Sequence, residues 1–258
     1  MLLVYSDLFR RKSLLVMFVA WPYLTTAFML IFGYAVGSPR VFTERVGVDP
    51  IQFMIVGSYL LFSIMTIVDD IMWRPIYDEQ LGTLPYIVSS PTRLITHYLS
   101  MPVPRFVAST VLGATAVFPV MVFSRGLEGL LVGLAVVLLS LISATVFTPL
   151  ATAIGLSLYT LGGESWRAIN VIRPLLLIVT GIYYPRWLMQ WPLYLVSSLM
   201  PPAHCVEVIQ RIVVGLAETY TILVSLTLAV LLGVLYSPAM ARSATAWEKK
   251  KLRVGVKT

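Results

Sequence analysis

Asp69-Asp70 is the pair of side chains best placed to do chemistry, because neighbouring carboxylates can hold a metal ion against a phosphate. A polar cap on the end of an apolar helix accounts for the same pair more simply, and it outweighs the first reading. Other reactive groups are sparse. One cysteine, Cys205, excludes an intrachain disulfide and a cysteine-cluster metal site. His97 and His204 lie far apart, which argues against a histidine metal site. No His–Glu, Ser–His or Cys–His pair falls within one apolar run. A G-x-x-x-x-G-K-[ST] phosphate loop is also missing: Gly162-Gly163 is followed by Glu164 and Ser165, with no lysine. The chain therefore cannot hydrolyse ATP by that route, and the energy for any transport must come from a partner or an ion gradient. No catalytic residue, metal ligand or cofactor is assigned to this chain.

The elements that would position such groups are set by composition. The 258 residues are 58% hydrophobic and 12% charged, against ~45–50% and ~25% in soluble globular chains. Mean hydropathy is +0.86. Too few charges remain to cover that much apolar surface in water. A soluble enzyme, a disordered chain and a nucleic-acid-binding protein are all disfavoured.

Apolar runs long enough for ~30 Å of hydrocarbon fall at about 13–37, 51–68, 106–124, 128–161, 170–185 and 219–241. The fourth run could be one tilted helix kinked at Pro149, or two short spans. Charge placement favours six spans. With six, fourteen of the 19 basic residues fall on the side of the termini and five on the other, as expected for a cytoplasmic and an external face. Seven of the 12 acidic residues join the inner side, so the whole net charge of +7 lies there. That excess suits an anionic inner leaflet and needs no nucleic acid. The expected fold is an all-α integral membrane protein, one transmembrane domain over residues 1–258, with Met1–Lys12 as a short interfacial helix.

Two segments are not ordinary loops. In residues 75–91, Leu81, Leu84, Ile87 and Val88 recur at helical spacing, which predicts an amphipathic inner helix closed by Pro91. In residues 185–216, an apolar stretch too short to cross is flanked by Trp, Tyr and Pro. A re-entrant hairpin of two short helices broken at Pro201-Pro202 fits it.

These segments carry a resemblance. Glu79, then Gly82-Thr83-Leu84, then Pro91 resembles the inner-loop signature of type-2 ATP-binding-cassette (ABC) transporter permeases. Gly181-x-Tyr183-Tyr184-Pro185, Trp191, Pro201, then Val206-Glu207 and Arg211 resembles that family's external segment before the last span. Pro85 and Met189-Gln190 depart from the family pattern. The resemblance covers essentially the whole chain. It implies the membrane subunit of an exporter in the cytoplasmic (plasma) membrane of a prokaryote, both termini cytoplasmic. It implies a dimer with a second permease subunit, a homodimer in the simplest case, above two copies of a cytoplasmic ABC ATPase carrying ATP and Mg. Glu79, Leu81, Gly82, Thr83, Leu84, Ile87, Val88 and Pro91 would then form the coupling element, with Glu79 at a helix N-terminus and Gly82 admitting a second backbone. Tyr183, Tyr184, Pro185, Trp191, Pro201, Pro202, Glu207 and Arg211 would form the re-entrant segment. Tyr23, Phe28, Phe32, Tyr59 and Phe62 could line a path for an amphipathic, drug-like or lipid-like substrate, although lipid-facing or packing roles outweigh that. A lipid-linked glycan exporter and an ion-coupled carrier are the alternatives. The carrier would want ionisable groups in mid-membrane, and none of the six runs has one near its middle.

Overall fold

The computed structural model describes residues 12–90, 94–161 and 165–254. The interfacial helix expected before Lys12, together with Pro91, falls outside them. In chain order the helices are α1 (Lys12–Val36), α2 (Pro39–Val46), α3 (Pro50–Gln80), α4 (Leu84–Val88), α5 (Leu94–Ser100), α6 (Pro102–Arg125), α7 (Leu127–Leu161), α8 (Ser165–Thr180), α9 (Trp191–Ser198), α10 (Pro201–Val214) and α11 (Thr219–Val254). A 3-10 turn at Arg186–Leu188 precedes α9. There is no strand among the described residues.

Five helical stretches are long and apolar enough to cross a membrane: Leu15–Ala35, Pro50–Gln80, Leu94–Arg125, Leu127–Thr160 and Thr219–Leu252. The run expected as a span at 170–185 is instead the 16-residue α8. At 1.5 Å per residue it extends only about 24 Å. It stops because Gly181 takes φ +75 and Pro185 follows soon after. The ambiguous fourth run is one unbroken helix, α7, with Pro149 inside it. Both α3 and α11 continue beyond their expected ends at Val68 and Ala241.

An internal proline occurs in each of α1, α3, α6, α7, α8 and α11. In water each would cost about 3 kcal/mol. Membrane helices tolerate proline because packed neighbours and hydroxyl side chains satisfy the freed backbone. Hydroxyls here turn back onto their own helices. Thr26 donates to Pro22 O at 2.7 Å, Thr66 to Phe62 O at 2.7 Å and Thr152 to Thr148 O at 2.8 Å. Such bonds hide polar groups from an apolar surround.

α3 is the centre of the bundle, packed by α6, α7 and α1. Nineteen of its 31 residues are buried, and Tyr59 Oη meets Ser140 Oγ of α7 at 2.9 Å. α11 packs most extensively on α7. α3, α7 and α11 run in parallel, and their C-terminal ends meet: Lys251 Nζ is 3.0 Å from Glu79 Oε1, and Lys250 Nζ is 2.9 Å from Thr160 O. At this Glu79 end a second core of Leu84, Leu94, Tyr98, Leu156, Ala244 and Trp247 ties α4, α5, α7 and α11 together. The opposite end carries α2, the turn at Arg186 and the α9–α10 hairpin. The outward faces of α1 and α11 are apolar and exposed, for example Val16, Leu24 and Ile31, and Leu223, Leu231 and Leu235. Such faces suit lipid.

Candidate functional site

At the Glu79 end the spacing predicts one helix through Leu81 to Val88. The chain instead carries α3 as far as Gln80, turns at Leu81–Thr83, and begins the five-residue α4 at Leu84. Gly82 sits at φ +65, a conformation that costs an L-residue about 1–2 kcal/mol. Thr83 N–H returns to Asp78 O at 3.0 Å. The left-handed residue interrupts the helical period, so the four apolar residues do not share a face. Leu81 is 70% exposed, Leu84 is buried, and Ile87 and Val88 are half-buried. A Cβ on Gly82 would meet nothing within 4 Å. Gly82 therefore makes the turn, and no other part of this chain approaches it. Glu79 lies at the C-terminal end of α3, not at a helix N-terminus. A carboxylate there opposes the helix dipole, and Lys251 offsets it.

Asp78 anchors this turn from below. Its side chain is fully buried, 3.0 Å from Arg74 Nε and 3.7 Å from His97 Nε2. Thr83 Oγ1 also lies 3.2 Å from Asp78 Oδ1. Tyr77, Leu81 and Tyr86 stand exposed above it.

At the other end the expected hairpin of two short helices is α9 and α10, but it breaks at Leu199–Met200. Pro201 and Pro202 open α10 at its first positions, where proline's missing N–H costs nothing. Eleven of α10's 14 residues are buried. Pro185 leads the 3-10 turn, Tyr184 Oη donates to Leu188 O at 2.6 Å, and Tyr183 Oη lies 3.4 Å from Ser58 Oγ. Trp191 is exposed. Glu207 accepts from Arg186 Nη1 at 2.8 Å through one oxygen and from Arg211 Nη2 at 2.8 Å through the other. Arg186 is only 2% exposed, and it also donates to Ser198 Oγ at 2.9 Å. Its guanidinium lies over the Tyr194 ring. Sequence reasoning placed Arg186 among the outer charges and missed its burial.

His204 completes the network. Nδ1 is 3.1 Å from Arg186 Nη1 and Nε2 is 2.9 Å from Ser198 O. An arginine can only donate, so Nδ1 accepts and Nε2–H donates, which is a neutral imidazole. Burial, helped by the Arg186 charge, holds His204 below its ordinary value. Above pH 6.5, the free imidazole's value, folded and unfolded chains both keep it neutral. Below that the unfolded chain takes up the proton first, so stability falls as pH drops. Thermal unfolding between pH 7.5 and 5.5 should show that decline, and His204→Gln should flatten it. Cys205 beside it is fully buried, and burial pushes its thiol up to about 12. This lone thiol cannot report sidedness by labelling.

Asp69 and Asp70 are each engaged by an arginine from another helix. Arg173 Nη2 is 2.6 Å from Asp69 Oδ2, and Arg105 Nη1 is 2.7 Å from Asp70 Oδ1. Among the described residues no group of three or more His, Cys, Asp or Glu could hold a metal ion. The residues considered for a substrate path do not share one lining. The Phe28 and Phe32 rings lie tilted against each other, centroids 4.4 Å apart, on the exposed face of α1. Tyr23 Oη donates to Thr115 O at 2.8 Å. Tyr59 is buried within the bundle, and Phe62 packs edge-on against Phe18 at 5.4 Å. No known sequence family, no curated protein and no solved structure matches this chain.

Proposed function

We propose that this protein is the membrane subunit of an ATP-driven exporter, working as a dimer of permease subunits with a separate cytoplasmic ATPase. α8 serves as a sixth crossing, the Glu79 end faces the cytoplasm with both termini, and the α9–α10 hairpin faces outward as a re-entrant element. The basic tail at Lys249–Lys251 supports that orientation. The setting is a prokaryotic cytoplasmic membrane, and the cargo is amphipathic.

One observation supports the reading above all. Tyr77, Leu81 and Tyr86 are exposed at the end of the bundle, 51%, 70% and 77% respectively. Tyr77 lies in the last turn of α3, Leu81 on the turn and Tyr86 in α4, a segment held by the buried Asp78 and by the core around Trp247. Exposed aromatic side chains held at the end of the bundle fit a soluble partner that must push on α3.

Tyr86→Ala tests it. Loss of an aromatic anchor at an interface costs about 2 kcal/mol or more, roughly thirtyfold in affinity. The expected result is a matching loss of ATPase binding and of substrate-stimulated ATP turnover. Phe123→Ala is the control: it removes the most exposed aromatic side chain at the opposite end and should change neither. Equal behaviour of the two variants would contradict the docking role.

A further inference from the structure

Between α1, α3, α6 and α8 lies a cavity of about 370 Å³, within the size range of ligand sites. Its lining is divided along the helix axis. Leu61, Phe62, Trp21 and Leu177 supply an apolar part, and Asp69, Arg105 and Arg173 supply a charged part. At 1.5 Å per residue, Phe62 lies about 18 Å along α3 from Pro50 and Asp69 about 28 Å. A ~30 Å hydrocarbon layer that begins at Pro50 would end near the charged part, with the apolar part reaching inward from it.

The two arginines are more open than their partners. Arg105 and Arg173 are each 43% exposed, against 18% for Asp70 and 30% for Asp69. The second oxygen of Asp69 is buried. Each guanidinium has five N–H donors and gives one nitrogen to its aspartate. The Nε atoms of both arginines are buried, so the donors open to the cavity are on the Nη atoms. The three charged lining residues sum to a single positive charge, which Asp70, paired with Arg105 outside the lining, balances.

We infer that this cavity binds an anionic amphiphile, its phosphate or similar oxyanion on Arg105 and Arg173 and its chain along Trp21, Phe62 and Leu177. The shared chemistry admits two sources, an anionic phospholipid of the bilayer and an amphiphile arriving from solution. The site stands whether or not an ATPase drives the protein, since equilibrium binding needs no ATP.

The test is titration calorimetry of the full chain in phosphatidylcholine nanodiscs, with empty nanodiscs subtracted. Octyl phosphate should bind saturably and at least tenfold more tightly than octanol, octyltrimethylammonium or inorganic phosphate. Asp69→Asn with Arg173→Gln removes both members of one pair, leaving no orphan charge, and should weaken octyl phosphate about tenfold. Leu177→Trp narrows the apolar part, leaves both ion pairs intact and should also weaken it. If phosphatidylglycerol in the nanodisc competes with octyl phosphate, the bilayer supplies the ligand; if it does not, solution does, and either result supports the site. Binding of octanol or octyltrimethylammonium as tight as that of octyl phosphate would overturn the assignment. So would equal binding of inorganic phosphate, or unchanged binding in both variants.

Discussion

Glu207→Ala should destabilise the protein by about 3–5 kcal/mol, the usual cost of stripping one partner from a buried ion pair. Arg186 is only 2% exposed and Glu207 only 10%. Truncation leaves the guanidinium with Ser198 Oγ, a neutral acceptor, and with the Tyr194 face. His204 Nδ1 also stays within reach. None of these carries the compensating negative charge. Arg211 loses its partner too, but it is a quarter exposed and can turn to water. Glu207→Gln keeps an acceptor oxygen and should cost less. The exposed Arg40–Glu44 pair provides the contrast, because Glu44→Ala removes an ion pair on the surface of α2 and should leave stability unchanged. Thermal unfolding in detergent, followed by the fraction that stays monodisperse, reads all three. An effect of Glu207→Ala no larger than that of Glu44→Ala would contradict the buried network.

Gly129→Val should be nearly as damaging. α6 and α7 turn back on each other through Gly126, and α7 begins at Leu127. A Cβ on Gly129 would fall on the Met121 carbonyl and 2.8 Å from Val122 N. Those are backbone atoms of α6 and cannot rotate aside, so the two helices must separate at their tightest point. The expected cost is about 3 kcal/mol, at the upper end of over-packing. Gly33→Ala is the matched control, since a Cβ there meets nothing within 4 Å. It should be neutral or slightly stabilising.

The same residues separate what a sequence can reveal from what it cannot. Apolar runs bounded by charge locate α1, α3, α6, α7 and α11, because hydrocarbon demands length and apolarity and little else. The run at 170–185 is displaced from α8, which spans Ser165–Thr180, since hydropathy alone does not register the turn at Gly181. Leu81 was misplaced because a helical period assumes an unbroken helix, and one left-handed glycine voids that assumption. Asp69 and Asp70 do not end their helix: α3 runs on to Gln80. Their partners Arg173 and Arg105 lie 104 and 35 residues away, and no local spacing announces such pairing. Glu207 and Arg211 are legible as an i,i+4 pair. The burial of Arg186 and His204 against them is set by how the α9–α10 hairpin folds onto α7 and α11, a tertiary fact.

The exporter reading rests on energy coming from a partner. Proteoliposomes containing the chain together with an ATP-binding subunit encoded beside it would decide this directly. Uptake of an amphipathic substrate into inside-out vesicles should require both subunits and ATP, and dissipating the proton and sodium gradients should leave it unchanged. ATP hydrolysis should be absent from the chain alone and should rise with substrate when the pair is present. Transport by the chain alone, driven by an ion gradient without ATP, would contradict the account.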